Sequence, residues 1–407
     1  MANKVPLFLT NGPSSGAGTT SYFPLFSGPK FGFATNAECA LPWYYTGTIT
    51  RLTAYVNANA ATASSTITLF KNGVATALTI TIPAGAGPGT GLFEDLSNSV
   101  SFTSSDTLTF QQVIGTGGAV QVFNLGAYVE EAAGKMIMRV GTAGTGVNNG
   151  ANNATRYYAL TGASAISITD NNTVRFTMRE GCRIKNLIGF LSNTRPTSIT
   201  IMSTVVNGVS NNPSVSLAAA FSGFFSNTSN SVSIVDGDVV SMRIFNSGGG
   251  GGTVTVTCGS VDIEYSGNAF QMFSNIVAGL VNSTSASRFF PLSGSLNTTA
   301  TEQLTQIKLL DEGTIKNLSV TVLANANATS VTNFYARIAG ADTAVAVAVP
   351  ISTTGIKADT TNTAPFTNGQ TVNIRTIKSV TSGVSINNVS LVVEYPPSFV
   401  PFGSFFM

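Results

Sequence analysis

The sequence predicts an all-β protein built from three tandem antiparallel β-sandwiches of jelly-roll type. Three observations carry this. A unit of about 132 residues occurs three times, the apolar residues inside it recur with period two, and no capped window of 3.6 periodicity marks a helix. The landmarks of the unit keep their spacing. Ile49, Ile184 and Ile315 are 135 and 131 residues apart, and Asn98, Asn230 and Asn362 are 132 and 132 apart.

Each copy opens on paired aromatics before a small-residue turn: Tyr22-Phe23-Pro24-Leu25-Phe26-Ser27-Gly28, Tyr157-Tyr158-Ala159-Leu160-Thr161-Gly162 and Phe289-Phe290-Pro291-Leu292-Ser293-Gly294. A strand with Ile-x-x-Leu follows: Gly47-Thr48-Ile49-Thr50-Arg51-Leu52, then Gly181-Cys182-Arg183-Ile184-Lys185-Asn186-Leu187, then Gly313-Thr314-Ile315-Lys316-Asn317-Leu318. In the first copy, Ser65 to Lys71 alternates up to Asn72-Gly73, a hairpin signal, and Val74 to Ile82 alternates away from it. Asn98-Ser99-Val100-Ser101-Phe102 has its echo in Asn230-Ser231-Val232-Ser233-Ile234 and Asn362-Thr363-Ala364-Pro365-Phe366. A turn then follows, Ser104-Ser105-Asp106, Asp236-Gly237-Asp238 or Asn368-Gly369-Gln370. The copy closes on a strand with a late Glu (Glu130, Glu264, Glu394). Boundaries fall near 134 and 268, giving sandwiches over 1–134 (with an N-terminal arm), 135–268 and 269–395, and a Pro/Phe-rich tail over 396–407. About eight short strands in such a unit fit two sheets, each polar on one side.

Composition narrows the chemistry. The 407 residues include 20 Lys+Arg, 18 Asp+Glu and no His, so only 9% are charged and the net charge is +2. Without His there is no Ser-His-Asp or Cys-His catalysis and no imidazole metal ligand. A net charge this small argues against gripping a phosphate backbone. Hydrophobic content of 43% argues against disorder. No segment has the roughly 18 consecutive apolar residues of a membrane helix, and the N-terminal apolar stretch is too short for a signal peptide. Virion parts and spore coats combine an outward-facing composition with assembly inside a cell.

Motifs that could carry chemistry read better as structure. Gly12-Pro13-Ser14-Ser15-Gly16 has the nucleophile-elbow pattern but no His partner. Gly85 to Gly91 and Gly248 to Gly252 read as loops, and the former lacks the Lys of a phosphate loop. Turn chemistry explains all three copies of the Asp236-Gly237-Asp238 hairpin, whereas calcium would explain one. The carboxylate pairs Glu94-Asp95, Glu130-Glu131 and Asp311-Glu312 do not recur in triplicate. The late Glu does, which favours a structural pair or a subunit contact. Cys39, Cys182 and Cys258 match no zinc spacing and read as buried small hydrophobes, with a Cys182–Cys258 bridge left open. No catalytic residue, cofactor or metal site is expected.

The candidate partner contacts are aromatic. Phe399, Phe402, Phe405 and Phe406 stand in an uncharged tail that either docks on its own domains or inserts into a partner. Trp43, Tyr44 and Tyr45 form a cluster that, if exposed, could stack on sugar rings, although the other copies lack it.

The aromatic-Pro-Leu-x-Gly opening, Gly-Thr-Ile-x-x-Leu, the Asn72-Gly73 hairpin and the Asn-Ser-Val-Ser segment resemble C1q/TNF-like jelly-roll surface modules of phage virions and spore coats. The resemblance covers nearly the whole chain; copy two departs most, with Arg195-Pro196 where the others have Asn and Ala. It implies a threefold or pseudo-threefold arrangement and carries over no catalytic residue. The expected function is that of a non-enzymatic virion structural protein (capsid, decoration or fibre component) at the virion surface. Its partners would be itself, as a homo-oligomer, and other virion proteins, with neither nucleic acid nor membrane. The alternative is a glycan-binding adhesin or spore-surface protein.

Overall fold

The structure is a computed structural model and describes residues 4–10, 15–29, 32–143, 155–163, 174–193, 199–247, 254–281, 287–295, 299–327, 329–377 and 383–397. The first repeat holds β1 (Val5–Thr10), β2 (Thr20–Pro24), β3 (Gly28–Pro29), β4 (Gly47–Asn59), β5 (Ser65–Lys71), β6 (Val74–Ile82), β7 (Gly91–Phe102), β8 (Leu108–Val113) and β9 (Val120–Glu131). The second holds β10 (Met136–Ala143), β11 (Thr155–Tyr158), β12 (Gly162–Ala163), β13 (Phe176–Thr177), β14 (Cys182–Asn193), β15 (Thr200–Val206), β16 (Val209–Leu217), β17 (Ser222–Ile234), β18 (Val239–Asn246) and β19 (Val254–Tyr265). The third holds β20 (Ala269–Val281), β21 (Arg288–Phe290), β22 (Gly294–Ser295), β23 (Ile307–Lys308), β24 (Gly313–Asn325), β25 (Thr332–Ile338), β26 (Ala341–Val349), β27 (Gly355–Phe366), β28 (Thr371–Ile377) and β29 (Val384–Glu394).

These strands form six sheets in three pairs. The first repeat contributes β3-β1-β9-β4-β7 and β2-β8-β5-β6; the second contributes β12-β10-β19-β14-β17 and β11-β18-β15-β16, and the third β22-β20-β29-β24-β27 and β21-β28-β25-β26. Leaving out the two-residue strands, every repeat winds its eight strands in the order 1-8-3-6 over 2-7-4-5, all antiparallel. That is the jelly roll the alternation predicts. One expectation changes: Val5–Thr10, within the expected N-terminal arm, is a fully buried strand between β3 and β9.

Backbone devices recur at matched positions. The hairpin joining the fourth and fifth long strands has two successive positive φ angles in each copy, at Asn72-Gly73 (52°, 78°), Asn207-Gly208 (51°, 82°) and Ala339-Gly340 (48°, 81°). Such a turn matches strand twist. A bulge in the third long strand places Arg51, Asn186 and Asn317 at φ 53–54°, where the register shifts in all three copies.

The recurring Asn landmark has a structural reason. Asp95, Asn227 and Asp359 each accept hydrogen bonds from the backbone two and three residues ahead, at Ser97 and Asn98, Ser229 and Asn230, and Thr361 and Asn362. Each also reaches the facing edge strand. Asp95 accepts from Thr79 N at 3.0 Å, Asp359 accepts from Ala346 N at 2.9 Å, and Asn227 Nδ2 donates to Ser214 O at 2.5 Å. The side chain therefore clamps the open edge of the sandwich, an edge that has few charges to blunt it. Burial alone would raise the pKa of Asp359, but the donors at Asn362, Ala346 and Thr361 hold it down to about 2, from an ordinary 3.8. A depressed carboxyl stabilises the fold above its unfolded pKa and loses that contribution as pH falls. Stability is therefore expected to fall between about pH 4 and pH 2, read by thermal melts across that window. Asp359→Ala is expected to cost about 1–2 kcal/mol and to flatten that pH dependence, because the part-buried N–H groups of Ala346, Thr361 and Asn362 lose their acceptor. Asp359→Asn, the residue type at the second repeat's clamp, should cost less.

A second matched position corrects the sequence alignment. Register places Gly47, Cys182 and Gly313 opposite Phe102, Ile234 and Phe366, so the second copy's counterpart of the glycine is Cys182 and not Gly181. A Cβ on Gly313 would lie 2.4 Å from Glu394 O and 2.7 Å from Phe366 Cζ. Where the second copy carries a side chain, the facing ring is replaced by the smaller Ile234. Gly313→Ala is expected to destabilise by about 1–3 kcal/mol through overpacking. In a denaturant-melt double-mutant cycle, Gly313→Cys with Phe366→Ile should cost less than the sum of the single changes.

Candidate functional site at the seams between repeats

The three sandwiches contact one another in cyclic order, and the seams are where the chain does something that no single repeat does. The segment entering the third long strand of each repeat lies across the five-stranded sheet of the next. Pro42, Thr177 and Lys308 occupy one matched position, each pairing with the residue that begins or precedes the seventh strand (Thr107, Val239, Thr371). Each offers its backbone carbonyl to a side chain of the following repeat. Arg139 Nη1 donates to Pro42 O at 3.0 Å, Gln271 Nε2 donates to Thr177 O at 2.9 Å, and Tyr128 Oη donates to Lys308 O. Repeat one thus docks on two, two on three, and three back on one.

A second matched bond supports two of these seams. Asn124 Nδ2 donates to Gln306 O at 3.1 Å and Asn388 Nδ2 donates to Arg175 O at 2.5 Å. At the seam between repeats one and two, register puts Cys258 in place of the Asn. All three cysteines are buried and free, so Cys182 and Cys258 are not bridged. Burial pushes the Cys182 thiol up to about 12 and raises those of Cys39 and Cys258 further, as for inert core thiols.

The ring closes at its centre on the residues that announced the repeat. The short strands β3, β12 and β22 lie against one another. Ser27 N donates to Arg139 O at 2.9 Å and Gly141 N to Ser27 O at 3.1 Å. Thr161 Oγ1 donates to Ser27 O at 3.2 Å, Thr10 Oγ1 to Ser293 O at 2.5 Å, and Ser293 Oγ to Phe8 O. Gly28 and Gly294, after Ser27 and Ser293, give the room: a Cβ on Gly28 would lie 2.7 Å from Gly141 O, and one on Gly294 2.1 Å from Thr10 Oγ1 and 2.6 Å from Gly28 O. The Ser/Thr-Gly of the opening signature is therefore the axis of a pseudo-threefold ring.

Charge is spent at the same seams. Arg139 and Asp262 form a fully buried pair at 2.7 Å, with Arg139 Nη2 on Asp262 Oδ2 at 3.1 Å and Asn186 Nδ2 on the same oxygen at 2.9 Å. Burial alone would lower the Arg139 pKa, but the Asp262 carboxylate beside it raises it. Lys308 pairs with Glu94 at 3.2 Å, Lys4 with Asp311 at 3.8 Å, and Lys316 with both Glu180 at 3.2 Å and Glu394 at 3.0 Å. Glu264 is held by Lys135 and Lys185. Two of the late Glu residues are thus ion-pair members, and Glu394 belongs to a pair network that crosses a seam.

The aromatic platform expected at Trp43, Tyr44 and Tyr45 is corrected. Trp43 is 0% exposed, packed edge-to-face with Tyr45 at 5.1 Å and tilted against Phe102 at 5.0 Å, with the Arg139 guanidinium 4.3 Å from its ring centre. Tyr45 is buried too, and Tyr44 is half-buried against the core. An indole enclosed by Tyr45 and Phe102 of its own repeat and by Arg139 of the next has no face for a sugar. It is a seam residue instead, and the matched positions of the other copies carry the buried Met178 and Leu309. Phe399, Phe402, Phe405 and Phe406 lie outside the described residues, as do most of the Gly12–Gly16 motif and the Gly248–Gly252 run.

The remaining candidates have local partners. Asp106 and Asp238 accept from Thr103 N and Val235 N, and Gln370 accepts from Thr367 N, which is the turn chemistry common to all three hairpins. Glu131 accepts from Ala133 N and Lys135 N. Among the described residues, no three His, Cys, Asp or Glu side chains converge on a metal position, and no helix is long and apolar enough to cross a membrane.

No known protein family and no curated protein matches the chain. Among solved structures it is similar to one described as PNGF-II, at 8% identity over 86% of this chain and 99% of that one with a TM-score of 0.19. It is also similar to one of infectious bursal disease virus Gt strain, at 8% identity over 97% and 82% with a TM-score of 0.17. Likeness at this level carries no argument about function.

Proposed function

We propose that the chain is a non-enzymatic structural protein of a virion, a capsid, decoration or fibre component that acts through β-sandwich assembly at the particle surface. The observation that carries this reading is the closed ring. Three jelly rolls are joined by matched carbonyl contacts and a shared central turn into one pseudo-threefold body, and the side chains most suited to chemistry (Arg139, Asp262, Gln271, Trp43) are used up in holding it together. A composition of 9% charge and no His, spread over all three repeats, suits a body that lies against neighbours. Its partners are further copies of itself and other virion proteins, and the uncharged tail with Phe399, Phe402, Phe405 and Phe406 is a natural contact with them. Quantitative mass spectrometry of purified particles tests this. The chain should be present at a fixed copy number per particle, and removing residues 396–407 should lower its retention. Abundant chain in the medium with none in particles would overturn the reading.

A further inference from the structure

The three seams differ in what they leave open. On each five-stranded sheet a row of residues runs outward from the buried seam to the exposed edge: Asn124, Tyr55 and Leu92 in the first repeat, Cys258, Phe190 and Phe224 in the second, and Asn388, Thr321 and Ile356 in the third. The neighbouring repeat covers the inner end and stops short of the outer. At the seam where the third repeat docks on the first, this leaves a cavity of about 260 Å³ bordered by Tyr55, Leu92 and Asn124 on one side and Gln303, Gln306 and Thr371 on the other.

The chemistry of this cavity is two-sided. Tyr55 and Leu92, the latter 54% exposed, give an apolar wall. Asn124 is 3% exposed, spends its Nδ2 on Gln306 O, and leaves Oδ1 as a buried acceptor with no protein donor. A buried acceptor of this kind favours a ligand that brings a hydroxyl or N–H to it. Lys308 also lines the cavity, but its ammonium is paired with Glu94 at 3.2 Å, so the site is neutral. The volume is below the roughly 300–1,000 Å³ of drug-sized pockets, so it holds one ring and not a chain. A pyranose fits this description: one C–H face for an aromatic ring, hydroxyls around its rim, and no charge. Among the described residues, only this seam joins an aromatic wall to the free amide oxygen. The seam between repeats two and three has Asn388 with its Oδ1 likewise unpartnered but Thr321 in place of Tyr55, and the seam between repeats one and two has aromatics but Cys258 in place of the amide.

We propose that the cavity between the first and third repeats binds a single neutral pyranose, its C–H face on Tyr55 and a hydroxyl on Asn124 Oδ1. Saturation-transfer NMR on the full chain, with glucose, galactose, mannose and N-acetylglucosamine as probes, tests it. At least one probe should show saturated ring protons. Tyr55→Ser combined with Gln303→Ala, both away from the buried core of the seam, should weaken binding about tenfold or more while the melting temperature stays within a few degrees. Phe224→Ser, at the matched row of another seam, should leave binding unchanged. No saturation with any probe, an unaffected double variant, or an equal loss with Phe224→Ser would each overturn the proposal. The outcome does not depend on whether the chain is found in particles.

Discussion

Asp262→Val is expected to destabilise the protein by about 3–5 kcal/mol, because it strands the Arg139 guanidinium without its carboxylate at 1% exposure. The unfavourable part is the unpaired buried charge, so the remedy is specific. In the third repeat the matched pair is Gln271 facing Val392, which makes the same seam contact to a backbone carbonyl with no charge at all. Arg139→Gln added to Asp262→Val should therefore recover more than half of the loss. Chemical denaturation followed by fluorescence reads this directly, since Trp43 is the one tryptophan and stands on Arg139. A double variant as unstable as the single one would show that charge is not what the seam depends on.

Trp43→Ala should cost a similar amount, about 3–5 kcal/mol, through a large cavity beneath Arg139. The loss should concentrate at one seam, so limited proteolysis should cut between the first and second repeats before it cuts between the second and third. Tyr44→Ala, at a half-buried site, is the control and should have a small effect. In combination with Asp262→Val the two costs should not add, because both changes act on one stacked group. Uniform proteolysis of all three repeats would mean that the indole supports the ring as a whole and not its own seam.

The fold was legible in the sequence because period-two alternation and turn residues are local signals. Asn72-Gly73 announced its hairpin, while Ala339-Gly340 makes the same turn without the dipeptide that would have marked it. The recurrence of Asn98, Asn230 and Asn362 was visible, though its cause was not: the clamp centres three residues earlier, on Asp95, Asn227 and Asp359. The seams were hidden for a deeper reason. The feature shared by all three is a backbone carbonyl, at Pro42, Thr177 and Lys308, and its donors Arg139, Gln271 and Tyr128 have no residue type in common. Alignment by residue type cannot show a match made by the main chain. Trp43 misled because an aromatic cluster without internal counterparts looks like a surface specialisation, when it is the lid on a buried arginine whose matched positions carry Pro6 and Gln271 in the other repeats. The Ser/Thr-Gly turn that follows each aromatic pair, a landmark in the sequence, is the centre of the ring.

Concatenation changes what such a ring can become. In an assembly of three separate identical chains, every substitution appears three times, and closure depends on concentration. Here the neighbours are tethered, so closure is a first-order event that dilution does not reverse. Each joint is also free to drift independently. The donors at the three joints already differ: one cationic, one amide, one phenol. A triangle whose corners can be altered one at a time can keep its shape for packing while turning a single corner to another task.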